Sequence, residues 1–197
     1  MKNALIYQTT EYDCGPTSIT NAMRFLFERE EIPPIVLKSI WTMGVDTFAE
    51  GGEPGKAGTS KAAMRYIAAW FECYAEKCGF PLKAAFLDMD YARIEKGSMT
   101  WRCLERGGCA VVRVWHGHTG HYVLLTQLVS DAVVGLFDPY DGVPDPGDPD
   151  RRYIYDDPRR KNREVRSDIF NRTDDVDFAM GEPERREVLL LWRTDRP

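Results

Sequence analysis

The sequence predicts an α+β protein in which N-terminal helices pack on an antiparallel sheet. Apolar residues recur at helical spacing from Pro16 to Phe27 and again from Ala62 to Tyr74. Short runs of β-branched and other apolar residues then follow one another from Cys109 to Phe137. Helices that precede a series of neighbouring strands are typical of α+β architecture.

The remaining elements are assigned from apolar periodicity and turn residues. A short second helix is predicted over residues 36–43. Residues 44–60 form a glycine-rich connector, and a loop of this length is either mobile or functional. We further predict a helix from residue 61 to about 79, a strand over 82–87, and a helix over 89–106 that could be broken near Gly97. Strands are predicted over 109–115, 122–126, 133–137 and 187–193.

Length and composition indicate one globular domain, 1–197, of ordinary hydrophobicity. Residues 139–183 are rich in Pro, Asp and Arg, and we interpret them as an insertion before the last strand. Its aspartate-rich part, 141–150, is expected to be an exposed turn, because the prolines and the absent loop glutamate argue against a calcium site. Arg151 to Arg166 is expected to be a solvated or ion-paired surface, although it could also grip an acidic peptide.

Charge and cysteine content restrict the environment. The net charge of -5 argues against nucleic acid as a partner, and no apolar run approaches the roughly 20 residues of a membrane span. The N-terminal apolar stretch is too short for a secretory signal, so a cytoplasmic location is expected. The odd count of five cysteines favours a reducing compartment. The spacing of the other four does not match a zinc site. We therefore interpret Cys73, Cys78, Cys103 and Cys109 as packing residues.

Cys14 lies where the first helix is predicted to begin, between Asp13 as N-cap and Pro16 in the first turn. The helix is expected to span residues 15 to about 30. Free N–H groups at such a position favour a thiolate and can stabilise an oxyanion. Gln8 lies shortly upstream and could supply a second oxyanion donor. The alternative is that Cys14 is simply a small buried residue.

A nucleophilic cysteine requires a base, and the three histidines of the chain occur in one run. His121 directly precedes an apolar strand, and Asp138 directly follows the next one. Adjacent antiparallel strands would bring Asp138 beside the His121 ring, where it could hold the tautomer and stabilise the imidazolium. The residues therefore suggest a Cys-His-Asp triad.

At these positions the chain resembles the bacteriocin-processing, double-glycine leader peptidases. The matching residues are Gln8 with Asp13-Cys14-Gly15-Pro16 and Ser18, Gly120-His121-Tyr122-Val123-Leu124, and Phe137-Asp138-Pro139. The resemblance implies a papain-like cysteine peptidase fold in which the connector borders the cleft. It also implies that Cys14 is the nucleophile, His121 the general base, Asp138 the orienting acid and Gln8 the oxyanion glutamine. Family members that mature bacteriocins are usually the N-terminal domain of a membrane transporter, and no transporter sequence follows the motifs in these 197 residues, so the resemblance does not assign a substrate.

The sequence thus predicts a cysteine peptidase-like hydrolase that acts on a peptide or protein, without a cofactor or metal. The same residues leave open an acyltransferase that uses the same thiol chemistry, or a catalytically silent peptide-binding module of the same fold. His116, His118 and His121 have the spacing of some binuclear metallohydrolases, but the aspartate expected before the last histidine is Gly120. The oligomeric state cannot be deduced from the sequence.

Overall fold

A computed structural model describes residues 3–117, 119–140 and 147–196. It has mixed α+β architecture built on an antiparallel sheet. Within these ranges the sheet has seven strands in the order β1-β7-β2-β3-β4-β6-β5, and every neighbouring pair is antiparallel. The strands are β1 (Leu82–Asp88), β2 (Cys109–His116), β3 (Thr119–Ser130), β4 (Val133–Phe137), β5 (Arg151–Tyr153), β6 (Arg163–Arg166) and β7 (Glu187–Arg193).

Helices cover both faces of this sheet. They are α1 (Cys14–Leu26), α2 (Pro34–Gly44), α3 (Lys61–Cys78), α4 (Met99–Glu105) and α5 (Ser167–Phe170). Successive residues of β2 point to opposite faces of the sheet and belong to two separate hydrophobic cores. Val111 packs with α1, α2 and α3, whereas Val112 packs with α4 and α5. The sheet is therefore the middle layer of three, and the predicted packing of N-terminal helices on it is confirmed for α1 to α3.

Helix α3 is less buried than its composition indicates. Ser60 caps its start by accepting a hydrogen bond from the N–H of Ala63 at 3.1 Å, and Gly79 ends the helix with a φ of 65°. Apolar residues nearly surround the helix, but only one stripe is buried and Tyr66 is 62% exposed. The buried stripe is Ala63, Met64, Ile67, Ala68 and Phe71.

Of the helix predicted over residues 89–106, only Met99–Glu105 is α-helical, and Met89–Tyr91 forms a single 3-10 turn. The interruption expected near Gly97 is present, since this glycine has a φ of 87° and α4 begins two residues later. Ile94 is fully buried without belonging to a helix. The Asn171 side chain accepts from the N–H of Ile94 at 3.1 Å and donates to its carbonyl at 2.9 Å, so both backbone groups are satisfied by a distant residue. A tertiary contact replaces the local helical hydrogen bonds that the apolar pattern suggested.

The segment interpreted as an insertion contributes regular structure to the fold. Its described part, residues 147–183, contains β5, β6 and α5, and these extend the sheet beyond β4. Val165 and Phe170 are fully buried, and Arg163 is only 4% exposed. A solvated surface over residues 151–166 is therefore wrong at Arg163 and Val165. The ion pairs, the other part of that expectation, are present, for example between Arg151 and Asp148 at 2.7 Å. Most of the predicted aspartate-proline turn lies at 141–146, outside the described residues.

Among the described residues, no helix is both long enough and apolar enough to cross a membrane.

Candidate active site

Cys14 is the first residue of α1 and is 7% exposed. The preceding Asp13 occupies the N-cap position, but its carboxylate does not cap the helix. It accepts instead from the backbone N–H groups of Thr9 and Thr10 at 3.3 and 3.0 Å, and from the Thr9 hydroxyl at 2.8 Å. The predicted capping role is wrong: Asp13 fixes the turn that enters the helix and leaves the first N–H groups of α1 without a carboxylate partner.

Gly15 lets the connector approach the start of α1. A Cβ atom on Gly15 would lie 2.1 Å from the Thr59 hydroxyl oxygen, so a side chain cannot fit there. The Thr59 hydroxyl in turn donates to the carbonyl of Gly44, which ties the two ends of the connector together. Thr59 and Gly58 line the cleft that contains Cys14, as expected for a connector that borders the site.

His121 and Asp138 meet through the pairing of β3 with β4. Leu124 lies opposite Phe137 in the register, so the start of β3 is adjacent to the end of β4. His121 Nε2 lies 2.7 Å from Asp138 Oδ1, and the two residues are 5% and 1% exposed. The predicted contact between them is confirmed. Because Nε2 is engaged by Asp138, Nδ1 is the ring nitrogen available to Cys14.

The pKa values of this pair reflect burial and mutual interaction. Burial lowers the pKa of His121, but hydrogen bonds and charge interactions with Asp138 and Cys14 outweigh it and raise that pKa to about 10. Burial likewise raises the pKa of Asp138, whereas the hydrogen bond and charge of His121 bring the net value below the usual one. These directions favour an imidazolium held against a carboxylate at neutral pH.

Asn162 holds the backbone of Asp138 in place. Its side-chain oxygen accepts from the Asp138 N–H and its amide nitrogen donates to the Asp138 carbonyl, both at 2.7 Å. The Asp138 Oδ1 atom also accepts from the Tyr140 N–H at 2.9 Å, and the Arg163 guanidinium lies 4.0 Å from Oδ2. The orientation of the carboxylate is thus fixed by residues of the segment that the sequence assigned to an insertion.

Helix α1 is also tied directly to β3. The Ser18 hydroxyl, which is fully buried, donates to the backbone carbonyl of Tyr122 at 2.9 Å. Ser18 lies one helical turn after Cys14, and Tyr122 follows His121 in the chain. The bond therefore sets the position of the thiol relative to the imidazole.

Gln8 belongs to an extended N-terminal arm rather than to a strand. The Asn21 side chain bonds both backbone groups of Ile6 at 2.8 Å, and the Gln8 N–H donates to the carbonyl of Pro139 at 2.9 Å. The Gln8 side-chain amide donates to the Thr10 carbonyl at 2.9 Å and lies on the wall of the same cleft as Cys14. A primary amide carries two N–H donors, and this hydrogen bond uses one of them.

The cleft has a volume of about 510 Å³ and contains Gln8, Cys14 and His121. The ring of His116 lies 5.3 Å from that of His121 and 5.4 Å from that of Tyr140, so His116 belongs to the cleft wall. His118 lies outside the described residues. Within the described part of the chain, no group of three or more His, Cys, Asp or Glu side chains has the arrangement of a metal site.

The other cysteines lie away from this cleft. Cys103 and Cys109 are buried, whereas Cys73 and Cys78 are exposed. Burial raises the pKa of Cys103 to about 11 and raises that of Cys109 as well.

Sequence reasoning missed several residues that shape the site. Asn162 lies in a polar stretch without any local signal for a role at Asp138. Arg113 and Glu187 each looked like an ordinary polar position of a strand, yet Arg113 lines the cleft and Glu187 lies next to Arg113. No family model matches the chain, and a comparison with curated proteins finds no match either.

Proposed function

We propose that this protein is a papain-like cysteine hydrolase that cleaves a peptide or amide bond. The observation that carries the proposal is the buried 2.7 Å contact between His121 and Asp138 in a cleft that also contains Cys14. A helix that presents the cysteine, packed on an antiparallel sheet that presents the histidine and the acid, is the arrangement expected of papain-like enzymes.

The proposed first step is attack by the Cys14 thiolate on the carbonyl carbon of the substrate. The carbonyl π electrons move to oxygen, and the oxyanion is stabilised by the Cys14 backbone N–H and by the second amide N–H of Gln8. His121 then donates its proton to the leaving amine as the C–N bond breaks. A thioester between Cys14 and the acyl group remains.

The second step is hydrolysis of this thioester. Neutral His121 takes a proton from a water molecule as the water oxygen attacks, and the acid product departs when the C–S bond breaks. Asp138 keeps the imidazole oriented through Nε2 and stabilises its charged form in both steps. Side chains of the protein and the backbone N–H of Cys14 supply every group that the scheme needs, and the required co-substrate is water.

We also propose a reducing, cytoplasmic setting, which the five free cysteines support.

Selective alkylation tests the activated thiol. Iodoacetamide labelling at about pH 6, resolved peptide by peptide with mass spectrometry, compares Cys14 with the exposed Cys73 and Cys78 in one sample. An ordinary thiol with a pKa near 8.5 is less than about one per cent ionised there, so Cys14 should react on the order of a hundred times faster. His121→Gln should remove most of that advantage, whereas His116→Gln, a change of the neighbouring histidine, should keep it. Equal labelling of the three cysteines would refute the activated thiol.

Proteolysis itself is tested by mass-spectrometric detection of new amino termini in a mixture of unfolded peptides. The wild-type protein should create a set of termini that Cys14→Ala does not create. Strong alkylation of Cys14 without any new termini would point to a different acyl acceptor or to peptide binding alone.

A further inference from the structure

Arg113 forms a charged wall of the cleft that the proposed chemistry does not use. Its side chain is 28% exposed and lines the same cleft as Cys14 and His121. Arg113 lies on β2 directly opposite Tyr122, the residue that follows His121. A cation that is mostly withdrawn from water beside a reactive centre interacts more strongly with a bound anion than an exposed cation does.

Gly120 determines how close this guanidinium comes to the catalytic histidine. A Cβ atom built on Gly120 would lie 2.2 Å from Nη2 and 2.5 Å from Cζ of Arg113. The guanidinium therefore rests on the backbone immediately before His121, in space that only glycine leaves open.

Glu187 forms an ion pair with Arg113 but does not accept a hydrogen bond from it. Arg113 Nε lies 3.7 Å from Glu187 Oε1, which is too long for a hydrogen bond. The other carboxylate oxygen of Glu187 accepts from the Tyr122 hydroxyl at 2.7 Å, and Glu187 is only 6% exposed. Among the described residues, the Nη groups of Arg113 donate no hydrogen bond, so this planar pair of donors is free for a ligand.

We infer that Arg113 is a specificity-determining residue that binds a carboxylate of the substrate next to the scissile bond. This inference rests on the proposed function, since it assigns a substrate class to that site. A guanidinium recognises a carboxylate through two parallel N–H donors, and neutral isosteres cannot reproduce this interaction. The carboxylate can belong to an acidic side chain or to the C-terminus of a peptide.

Three matched bromoacetyl probes distinguish these sources. Bromoacetyl-glutamic acid α-amide carries a side-chain carboxylate, bromoacetyl-glutamine carries a terminal carboxylate, and bromoacetyl-glutamine amide is neutral. Each reacts by the same step, in which the Cys14 sulfur displaces bromide and forms a thioether. The readout is the labelling rate of Cys14 with each acidic probe divided by the rate with the neutral probe.

We expect one of the acidic probes to label Cys14 about tenfold faster than the neutral one, a preference absent at Cys73 and Cys78. Arg113→Gln should bring the ratio of the acidic to the neutral rate to about one, and Arg113→Lys should keep part of the preference because only the fork geometry is lost. Arg172→Gln, which removes an exposed arginine outside the cleft, is the matched control and should keep the preference.

The two ideas fail in different ways. A rate ratio near one for both acidic probes, or a preference that survives in Arg113→Gln, would overturn the role of Arg113. A low absolute rate with all three probes would instead contradict the activated thiol, while the ratio still reports on Arg113. A preference for the α-amide probe assigns an acidic side chain, and a preference for the terminal acid assigns a C-terminal carboxylate.

Discussion

Cys14 and Cys103 are both buried helix residues, 7% and 9% exposed, yet their surroundings differ in every respect that matters for reactivity. The Cys103 thiol donates to the carbonyls of Cys109 and Leu191 at 3.6 and 3.7 Å, and burial raises its pKa to about 11. Cys14 lines an open cleft and interacts with a histidine that is itself paired with a carboxylate.

Low solvent exposure alone therefore does not make a cysteine unreactive. The surroundings of a buried thiol decide its chemistry: burial in apolar surroundings favours the protonated form, whereas a neighbouring imidazolium stabilises the thiolate. The following predictions test whether the surroundings of Cys14 activate its thiol, which those of Cys103 cannot do.

The largest effect is expected from Asp138→Asn. The amide can occupy the same space but cannot stabilise the imidazolium, so turnover of a peptide identified by its new terminus should fall about a thousandfold or more. The high pKa of His121 should fall as well, which would move the alkaline limit of turnover to lower pH. Asp177→Asn is a matched control, since that aspartate accepts from the Gly117 N–H at 2.8 Å and lies outside the cleft. Turnover within about threefold of wild type in Asp138→Asn would contradict the triad.

Gln8→Ala should separate transition-state stabilisation from activation of the thiol. Loss of one oxyanion donor should lower turnover about a hundredfold. Alkylation of Cys14 by iodoacetamide forms no oxyanion, so its rate should change by less than about threefold. Gln127→Ala, on β3 outside the cleft, should change neither rate. Equal losses in turnover and alkylation would mean that Gln8 supports the entry to α1 instead.

The pH dependence of stability should carry the signature of His121. Its pKa is about 10 in the folded state and about 6.5 in an unfolded chain. The stabilisation is therefore complete below about pH 6.5 and is lost as pH rises through about 10. Asp138 affects stability at acidic pH. Its pKa is lowered in the folded state, so its contribution to the free energy of unfolding is present above about pH 3.9 and is lost as pH falls.

Urea unfolding between about pH 6 and 10 measures the alkaline part of this dependence. The slope of the free energy of unfolding against pH should be shallower in His121→Gln than in the wild type, with His116→Gln as the control. Parallel slopes in the wild type and His121→Gln would contradict the raised pKa.

The smallest effect is expected from Cys103→Ala. Removing a buried sulfur that donates only weak hydrogen bonds should lower the free energy of unfolding by about 1 kcal/mol. Alkylation of Cys14 should not change, because the two thiols belong to separate cores. A marked fall in Cys14 labelling would show that the two environments are coupled.

The elements that bring Cys14, His121 and Asp138 together could be predicted because each carries a local signal. A proline in a first turn, an apolar strand after a histidine and an Asp-Pro pair at a strand end are all visible in the sequence. Asn162 and Asn171 carry none, because an asparagine that bonds a distant backbone looks like any surface asparagine. Their contacts depend on the sheet order, which placed β6 beside β4 and turned a supposed insertion into part of the site.

The position of β7 has a consequence for how the protein is made. This strand, Glu187–Arg193, pairs with both β1 and β2 and begins with the carboxylate that anchors Arg113. While a ribosome is still translating the preceding residues, β1 has no partner and the wall of the cleft lacks its anchor. A nascent chain thus contains Cys14, His121 and Asp138 well before β7 can complete the sheet and the wall of the cleft beside them.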